Sequence, residues 1–450
     1  MPKTPNFVDK LIDNLKALVP NGRKRSRTYV RRVIPRDQHN VSRSVISESA
    51  KKVLYRLNKS GYEAYLVGGG VRDILLGGKP KDFDIATNAT PEEVHALFRN
   101  SRLIGRRFRI VHVVFGREII EVTTFRGNAG DAEDGQDDER RTNEHGLLLR
   151  DNVYGTQEED ALRRDFTVNA LYYCIRDFTV IDFANGIEDL RNRRIRLIGD
   201  PETRYREDPV RMLRAMRFSA KLGFAIDPEI LRHAKESANS LEAVSPARLF
   251  DEFIKLFLNG YAEVVWRQLR ETPLANALFP CCDPNSPLVL AAMRNTDERI
   301  LGGASVTPGF LVAVLLWDDF CARSHDQATL EDDPAFATLK HQQSHIAVPR
   351  RFGTFAREVW LIQERLHKRN PRSLDRLASH KRFRAGYDFL CLQAESDELM
   401  VPIADWWTEF QSADESGRQA LIAQLPKAPR KRRRNRSRRK PTESAPEESS

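Results

Sequence analysis

Residues 62–73, YEAYLVGGGVRD, and the nearby residues 81–85, KDFDI, decide the fold. Tyr62 to Val67 reads as a buried strand that runs into Gly68-Gly69-Gly70 and then a helical segment opening at Val71-Arg72-Asp73. Glycines between a strand and a helix N-terminus let backbone N–H groups come close to a phosphate, whose charge the helix dipole favours. A triple glycine is also an ordinary tight turn, so its neighbours carry the weight. Alternate side chains of a strand share a face, which sets Asp82 and Asp84 on one side of KDFDI and Phe83 and Ile85 toward the core. Two carboxylates about 5 Å apart repel by about 3 kcal/mol at an effective dielectric of about 20. A cation between them relieves that cost; two solvated aspartates on an exposed edge strand avoid it.

Further along, residues 110–115 (IVHVVF) and 118–124 (EIIEVTT), joined by Gly116-Arg117, read as a hairpin. Ile119, Glu121 and Thr123 share one face of the second strand, Ile120 and Val122 the other. Glu121 is thus a carboxylate in an otherwise apolar strand and needs a partner. If the hairpin pairs beside KDFDI, three carboxylates converge, a set that suits two Mg²⁺ ions activating an attacking hydroxyl and neutralising a leaving pyrophosphate. The helix between, opened by the capping box Thr90-Pro91-Glu92-Glu93, closes a compact α/β unit.

Two later segments add polar groups. In residues 161–170 (ALRRDFTVNA), Arg164 and Asp165 precede a helical stretch on which Asp165 and Asn169 share a face. A carboxylate suits a ribose hydroxyl and a guanidinium suits phosphate. In residues 206–211 (REDPVR), Asp208 and Arg211 lie three apart on a predicted helix and present an acceptor and donors together, a pattern that can match an adenine edge; alone, the segment reads as a capped helix start with a surface ion pair.

Taken in order, GGGVRD, DFDIAT and EVTTFR resemble the nucleotidyltransferase module of the polymerase-β superfamily. The RRDF and EDPVR segments narrow the resemblance to the family of bacterial poly(A) polymerases and CCA-adding tRNA nucleotidyltransferases, over about residues 60–260. The resemblance implies an α+β protein: a head with a small mixed sheet and helices, followed by an all-helical neck and body. It implies Asp82, Asp84 and Glu121 as the catalytic carboxylates that face the metals, with the Asp82/Asp84 pair as ligands. It implies triphosphate held at Gly69, Gly70 and Arg72, sugar and phosphates met by Arg163, Arg164, Asp165 and Asn169, and the base read by Asp208 and Arg211.

Residues 103–109 (LIGRRFR), 146–155 (GLLLRDNVYG) and 245–251 (SPARLFD) resemble the poly(A) branch. The expected activity is therefore template-independent addition of adenylates from ATP to RNA 3′ ends, in RNA decay and mRNA processing; CCA addition to tRNA is the alternative. Arg106, Arg107 and Arg109 would line the primer path, or belong to a solvated loop, and residues 127–145 read as a mobile loop beside the site. Partners in the RNA-degradation machinery or an RNA chaperone are implied by the family alone. The carboxylate set argues against a non-catalytic RNA-binding factor, and the RNA-suited tails and helical second half argue against a nucleotide second-messenger synthetase. An HD-type phosphohydrolase needs several His and Asp ligands, and His325-Asp326 stands alone.

Charge sharpens the partner. The chain of 450 residues carries a net +10. Ten basic side chains and no acid lie in residues 427–440, and eleven basic against three acidic residues in 1–44, leaving the folded middle mildly acidic. Basic arms about such a body suit RNA, DNA or an anionic membrane surface, and the amphipathic run 7–19 admits peripheral membrane contact. No apolar run approaches the ~20 residues of a membrane span, and the N-terminus has no signal-peptide pattern. Five cysteines without CxxC spacing fit a reducing cytoplasm and no zinc site, with Cys281-Cys282 read as buried filler. The expected organisation is a largely flexible basic extension (1–44), a catalytic head (45–194), a helical neck binding nucleotide and RNA (195–262), a helical RNA-binding body (263–426) and a disordered Arg-rich tail (427–450).

Overall fold

The computed structural model describes residues 29–105, 109–127, 140–142, 148–151, 153–325 and 333–426. The chain divides into two compact units, Met1–Ala356 and Arg357–Ser450.

The first unit is built on β1 (Arg32–Ile34), β2 (Ala64–Val67), β3 (Asp84–Thr87), β4 (Ser101–Ile104), β5 (Ile110–Phe115) and β6 (Glu118–Thr124). There follow a two-stranded ribbon, β7 (Arg140–Thr142) with β8 (Leu148–Asp151), then β9 (Leu171–Cys174) and β10 (Val180–Asp182). Among the described residues eight strands form one mixed sheet in the order β1-β10-β9-β2-β3-β6-β5-β4. β5 and β6 form the expected antiparallel hairpin, and its turn glycine, Gly116, takes the left-handed φ of 63°. β3 and β6 pair in parallel with Asp84 opposite Glu121. The alternation holds: Phe83, Ile85, Ile120 and Val122 are buried. Helix Glu48–Lys59, capped by Ser47, turns Ala50, Val53, Leu54 and Leu57 inward at helical spacing and packs on β2, β3 and β6. Helix Pro91–Leu97 carries the expected capping box of Thr90 and Glu93 and packs on β4, β5 and β6.

Three boundaries differ from expectation. Residues 29–44, assigned to the flexible extension, belong to the sheet edge: β1 pairs antiparallel with β10, Val41 is fully buried, and the Tyr29 hydroxyl accepts a hydrogen bond from the Gly199 amide at 3.0 Å. A basic composition had hidden the short apolar pattern Val33, Ile34 and Val41. The amphipathic run 7–19 and the tail 427–450 lie outside the described residues. The helix expected through Asp165 and Asn169 is a single 3₁₀ turn, Thr167–Asn169, because the buried run Leu171–Cys174 that follows is claimed by the sheet, pairing with β2 and β10. Within the stretch expected as one body, the division falls after Ala356, inside the long helix Arg350–Lys368.

Beyond the head, β11 (Arg194–Ile195) and β12 (Ala225–Ile226) pair in parallel, and helices dominate thereafter. Helices Pro228–Glu236 and Pro246–Phe257 begin where Asp227-Pro228 and Ser245-Pro246 predicted, each with proline in the first turn. The second unit has a core of its own from Leu366, Leu390, Trp407 and Phe410, with the Trp407 indole donating to the Leu366 carbonyl at 3.0 Å. Among the described residues no helix is long and apolar enough to cross a membrane.

Candidate active site

The sheet brings the carboxylates to one place. Asp84 opens β3, Asp82 lies two residues before it, and Glu121 is the residue opposite Asp84 on β6. Neighbouring strands lie about 4.8 Å apart, so the Asp84 and Glu121 side chains leave the sheet as near neighbours. Burial raises the Asp84 carboxyl, the negative charges of Glu121 and Asp82 raise it further, and Arg164 opposes them; the outcome is a carboxyl pushed up to about 6. Glu121 is less enclosed than an apolar strand suggested, since its side chain is 42% exposed and reaches His112 on β5 at 3.6 Å.

Beside Asp84 opens a cavity of about 430 Å³, within the size range of small-ligand sites. Its wall includes Gly68, Gly69, Asp84, Thr123, Asp160, Asp165, Asn169, Asp208 and Phe218, together with the seven arginines 72, 126, 163, 164, 211, 214 and 248. Seven guanidinium groups against four aspartates leave the wall net positive, the sign a triphosphate requires. A second cavity, about 480 Å³ and bounded by residues such as Met216, Phe224, Leu231 and Val264, is mostly apolar and gathers no comparable charge.

Most of the arginines are held in place by acids. Asp160, 2% exposed, receives Arg163 at 3.2 Å, Arg164 at 3.0 Å and the Tyr172 hydroxyl at 2.6 Å. Burial alone would raise its carboxyl, but the two guanidinium groups and Tyr172 outweigh burial and hold it down at about 2. Asp165, its side chain 9% exposed, is likewise held at about 2, by Arg214 and Asn169. One of its oxygens accepts from Asn169 at 3.1 Å and from the Phe166 amide at 2.8 Å, the other from Arg214 Nε at 2.7 Å. Arg72, 1% exposed, donates to Asn169 at 2.6 Å and to Asp73 at 2.7 Å. Arg204 donates to the carbonyls of Arg163 and Arg164, tying the RRDF segment to helix Pro201–Glu207.

Asp208 and Arg211, the pair expected to read the base, are arranged differently from expectation. Helix Pro201–Glu207 ends at its cap Asp208, before Pro209, and Arg211 lies on the next, Val210–Leu222, so the two residues do not share one helix. Asp208 pairs with Arg248 at 2.8 Å, and Arg211 donates to Glu207 at 2.9 Å and the Arg204 carbonyl at 2.7 Å. Both still line the cavity. Arg248 Nη1 is buried with no hydrogen-bond partner among the described residues, as a donor awaiting a ligand would be.

Of the remaining expected residues, Gly69 lines the cavity whereas Gly70 is buried, a Cβ there lying 3.6 Å from the Asp82 carbonyl. Gly68 carries the conformational demand, with φ 66° and Arg164 3.3 Å from where a Cβ would sit. Arg109 pairs with Glu92 at 2.6 Å and is absent from the cavity wall; Arg106 and Arg107 lie outside the described residues. Sequence reasoning missed Asp160, Arg214, Phe218 and Arg248. The spacing Arg211, Arg214, Phe218 on one helical face was the available signal for two of them.

A likeness of fold extends over most of the chain. The fold is that of the CCA-adding enzymes: the Bacillus stearothermophilus enzyme solved in complex with CTP is similar with a TM-score of 0.57 at 24% identity, covering 85% of this chain and 92% of that one. Three family models match in sequence: the poly A polymerase head domain over residues 64–196, the probable RNA and SrmB-binding site of polymerase A over 223–285, and the polymerase A arginine-rich C-terminus over 332–441. Poly(A) polymerase I of Escherichia coli O157:H7 is 47% identical over 428 residues, covering 91% of this chain and 92% of the relative. The CCA-adding enzyme of Lactobacillus helveticus is 40% identical over 226 residues, covering 50% and 54%. The chain belongs to the poly(A) polymerase family.

Proposed function

We propose that the protein is a template-independent polynucleotide adenylyltransferase, which extends RNA 3′ ends with adenylates from ATP and releases pyrophosphate. The observation that carries this reading is the arginine-lined cavity opening beside the Asp84–Glu121 pair. The likeness to CCA-adding enzymes in sequence covers half the chain, while that to poly(A) polymerases continues through the helical half, which favours poly(A) addition over CCA addition.

Hard oxygen donors that repel one another fit a divalent cation. Asp82 and Asp84 would hold Mg²⁺, with Glu121 facing it; bound there, the ion supplies charge neutralisation for pyrophosphate and activation of the RNA 3′-hydroxyl. Arg163 and Arg164, fixed by Asp160, and Arg72, fixed by Asn169, meet the triphosphate. Asp165 positions Arg214, and with Asn169 borders the sugar. Asp208, oriented by Arg248, and Arg211, oriented by Glu207, face the adenine edge. Because these orienting partners are in place before ATP arrives, little reorganisation is left for binding.

Residues 45–194 act as the catalytic head, 195–262 as the neck and the helices to 426 as an RNA-holding body, with Arg106, Arg107 and Arg109 along the primer path. The basic segments 1–28 and 427–450 add sequence-independent affinity for RNA, and the N-terminal one also suits an anionic membrane surface. A cytoplasmic setting, a role in RNA decay and mRNA processing, and a partner in RNA degradation or an RNA chaperone complete the reading; the match of residues 223–285 to a probable RNA and SrmB-binding site supports such partners.

The test is the length and composition of product from a generic RNA with Mg²⁺ and each NTP separately. Long tracts with ATP alone are expected. Addition stopping at one to three nucleotides, with CTP used first on tRNA lacking its end, would refute the reading.

A further inference from the structure

Away from the cavity, three chemically mixed side chains converge from distant segments. Cys281 lies in the turn after helix Leu274–Leu278, Asp319 in the first turn of helix Trp317–His325, and His341 in the last turn of helix Pro334–Gln342. One ligand atom from each lies within 4.8 Å of the others. Cys281 Sγ and His341 Nδ1 are 3.6 Å apart although 60 residues separate them in the chain.

We propose that Cys281, Asp319 and His341 form a binding site for one transition-metal ion of the Zn²⁺ type, distinct from the catalytic carboxylates. The geometry is the first argument. With Zn–S near 2.3 Å and Zn–N about 2.0–2.1 Å at tetrahedral angles, the sulfur–nitrogen edge is about 3.6 Å. The observed separation equals that edge, so the two atoms need little movement to take an ion between them.

The surroundings are the second argument. Asp319 Oδ1 accepts from Arg323 Nε at 3.0 Å, which fixes the orientation of the carboxylate, as outer partners of metal ligands do. The negative charge of Asp319 also bears on the Cys281 thiol, and the ligand atoms of all three groups lie together in one cluster. Water completes the fourth position; His345, its ring centroid 5.9 Å from that of His341, lies outside the three-residue cluster.

The chemistry is the third argument. A thiolate–imidazole–carboxylate set selects Zn²⁺, Co²⁺ or similar ions and discriminates against Mg²⁺, which prefers oxygen donors. Binding releases the thiol proton to solvent as the S–metal bond forms, and the carboxylate and neutral imidazole donate lone pairs without redox change.

The expectation of no zinc rested on the lack of CxxC spacing, a rule that cannot see ligands gathered from three separate segments. The reading of both adjacent cysteines as filler holds for Cys282, which is buried, but Cys281 is exposed. An ion here would staple the turn that ends the 223–285 segment to two later helices.

The experiment is a Co²⁺ titration of the full chain, stripped with chelator and held in excess Mg²⁺ to cover the Asp82/Asp84/Glu121 carboxylates. One Co²⁺ per chain is expected, with a near-ultraviolet thiolate charge-transfer band and the visible bands of a tetrahedral ion, both erased by stoichiometric Zn²⁺. Cys281→Ser, a small change at an exposed position, should remove the charge-transfer band. His341→Ala and Asp319→Asn should each weaken binding by about tenfold or more. Asp84→Asn should leave the band untouched. A wild-type chain without the band, or a Cys281→Ser chain that keeps it, overturns the proposal.

Discussion

Two groups of aspartates beside one cavity are treated in opposite ways. Asp160, met by two guanidinium groups, and Asp165, met by Arg214 and Asn169, are held near 2, whereas Asp84 is pressed by burial, Glu121 and Asp82 to about 6. The first group is satisfied within the protein and serves as framework. The second is strained as built, and relief has to come from a ligand. A strained carboxylate beside satisfied ones marks where chemistry is expected, since perturbed carboxyls gather at functional sites.

The comparison is most exposed to Asp84→Ala, which should cut adenylate incorporation by a factor on the order of 10³ while circular dichroism stays native. Near-normal rates would move the metal site elsewhere. Asp165→Ala tests the framework: it removes the acceptor of Asn169, the Phe166 amide and a partly exposed Arg214, and should lower unfolding free energy by about 1–3 kcal/mol, read by urea titration. If that variant keeps wild-type stability and loses only activity, Asp165 belongs with the strained group.

A subtler test uses pH with metal removed. Asp84 is higher folded than its ordinary 3.8, so its cost is full above about pH 6 and gone below about pH 4. Asp84→Asn should therefore raise the melting temperature at pH 8, by the equivalent of about 1–3 kcal/mol, and leave it unchanged at pH 4. Asp160 and Asp165 run the other way: their stabilisation is present above about pH 4 and lost as pH falls toward 2. The smallest effect belongs outside the site. Deleting residues 427–450 should flatten the salt dependence of RNA affinity, by about 0.7 in log–log slope for each phosphate the tail had neutralised, with kcat at saturating RNA nearly constant.

The strained group was legible in the sequence and the framework much less so. DFDI and EIIEVTT follow a two-residue period, so facing could be read locally; the pairing was left as a condition, and the structure sets Asp84 opposite Glu121. The framework depends on partners brought together by the fold: Tyr172 reaches Asp160 from β9, and Arg248 reaches Asp208 across 40 residues. Arg248 stood in a segment quoted only for its resemblance, with no periodicity to say which acid it would meet. The 3₁₀ turn at Thr167–Asn169 escaped for a related reason, since the sheet's claim on Leu171–Cys174 is a tertiary fact.

The parallel pairing of β3 with β6 has a bearing on how damage to this protein would be classified. Glu121 points toward the site only because Ile120 and Val122, on the opposite side of the same strand, are buried in the core. A slip of one residue would turn the carboxylate inward and an isoleucine outward. The register lock is therefore an apolar one. In a screen for lost activity, polar replacements at Ile120 or Val122 would be scored beside those at Asp82 and Asp84, although neither residue touches a substrate. Catalytic silence in such a collection reports on alignment as well as on chemistry.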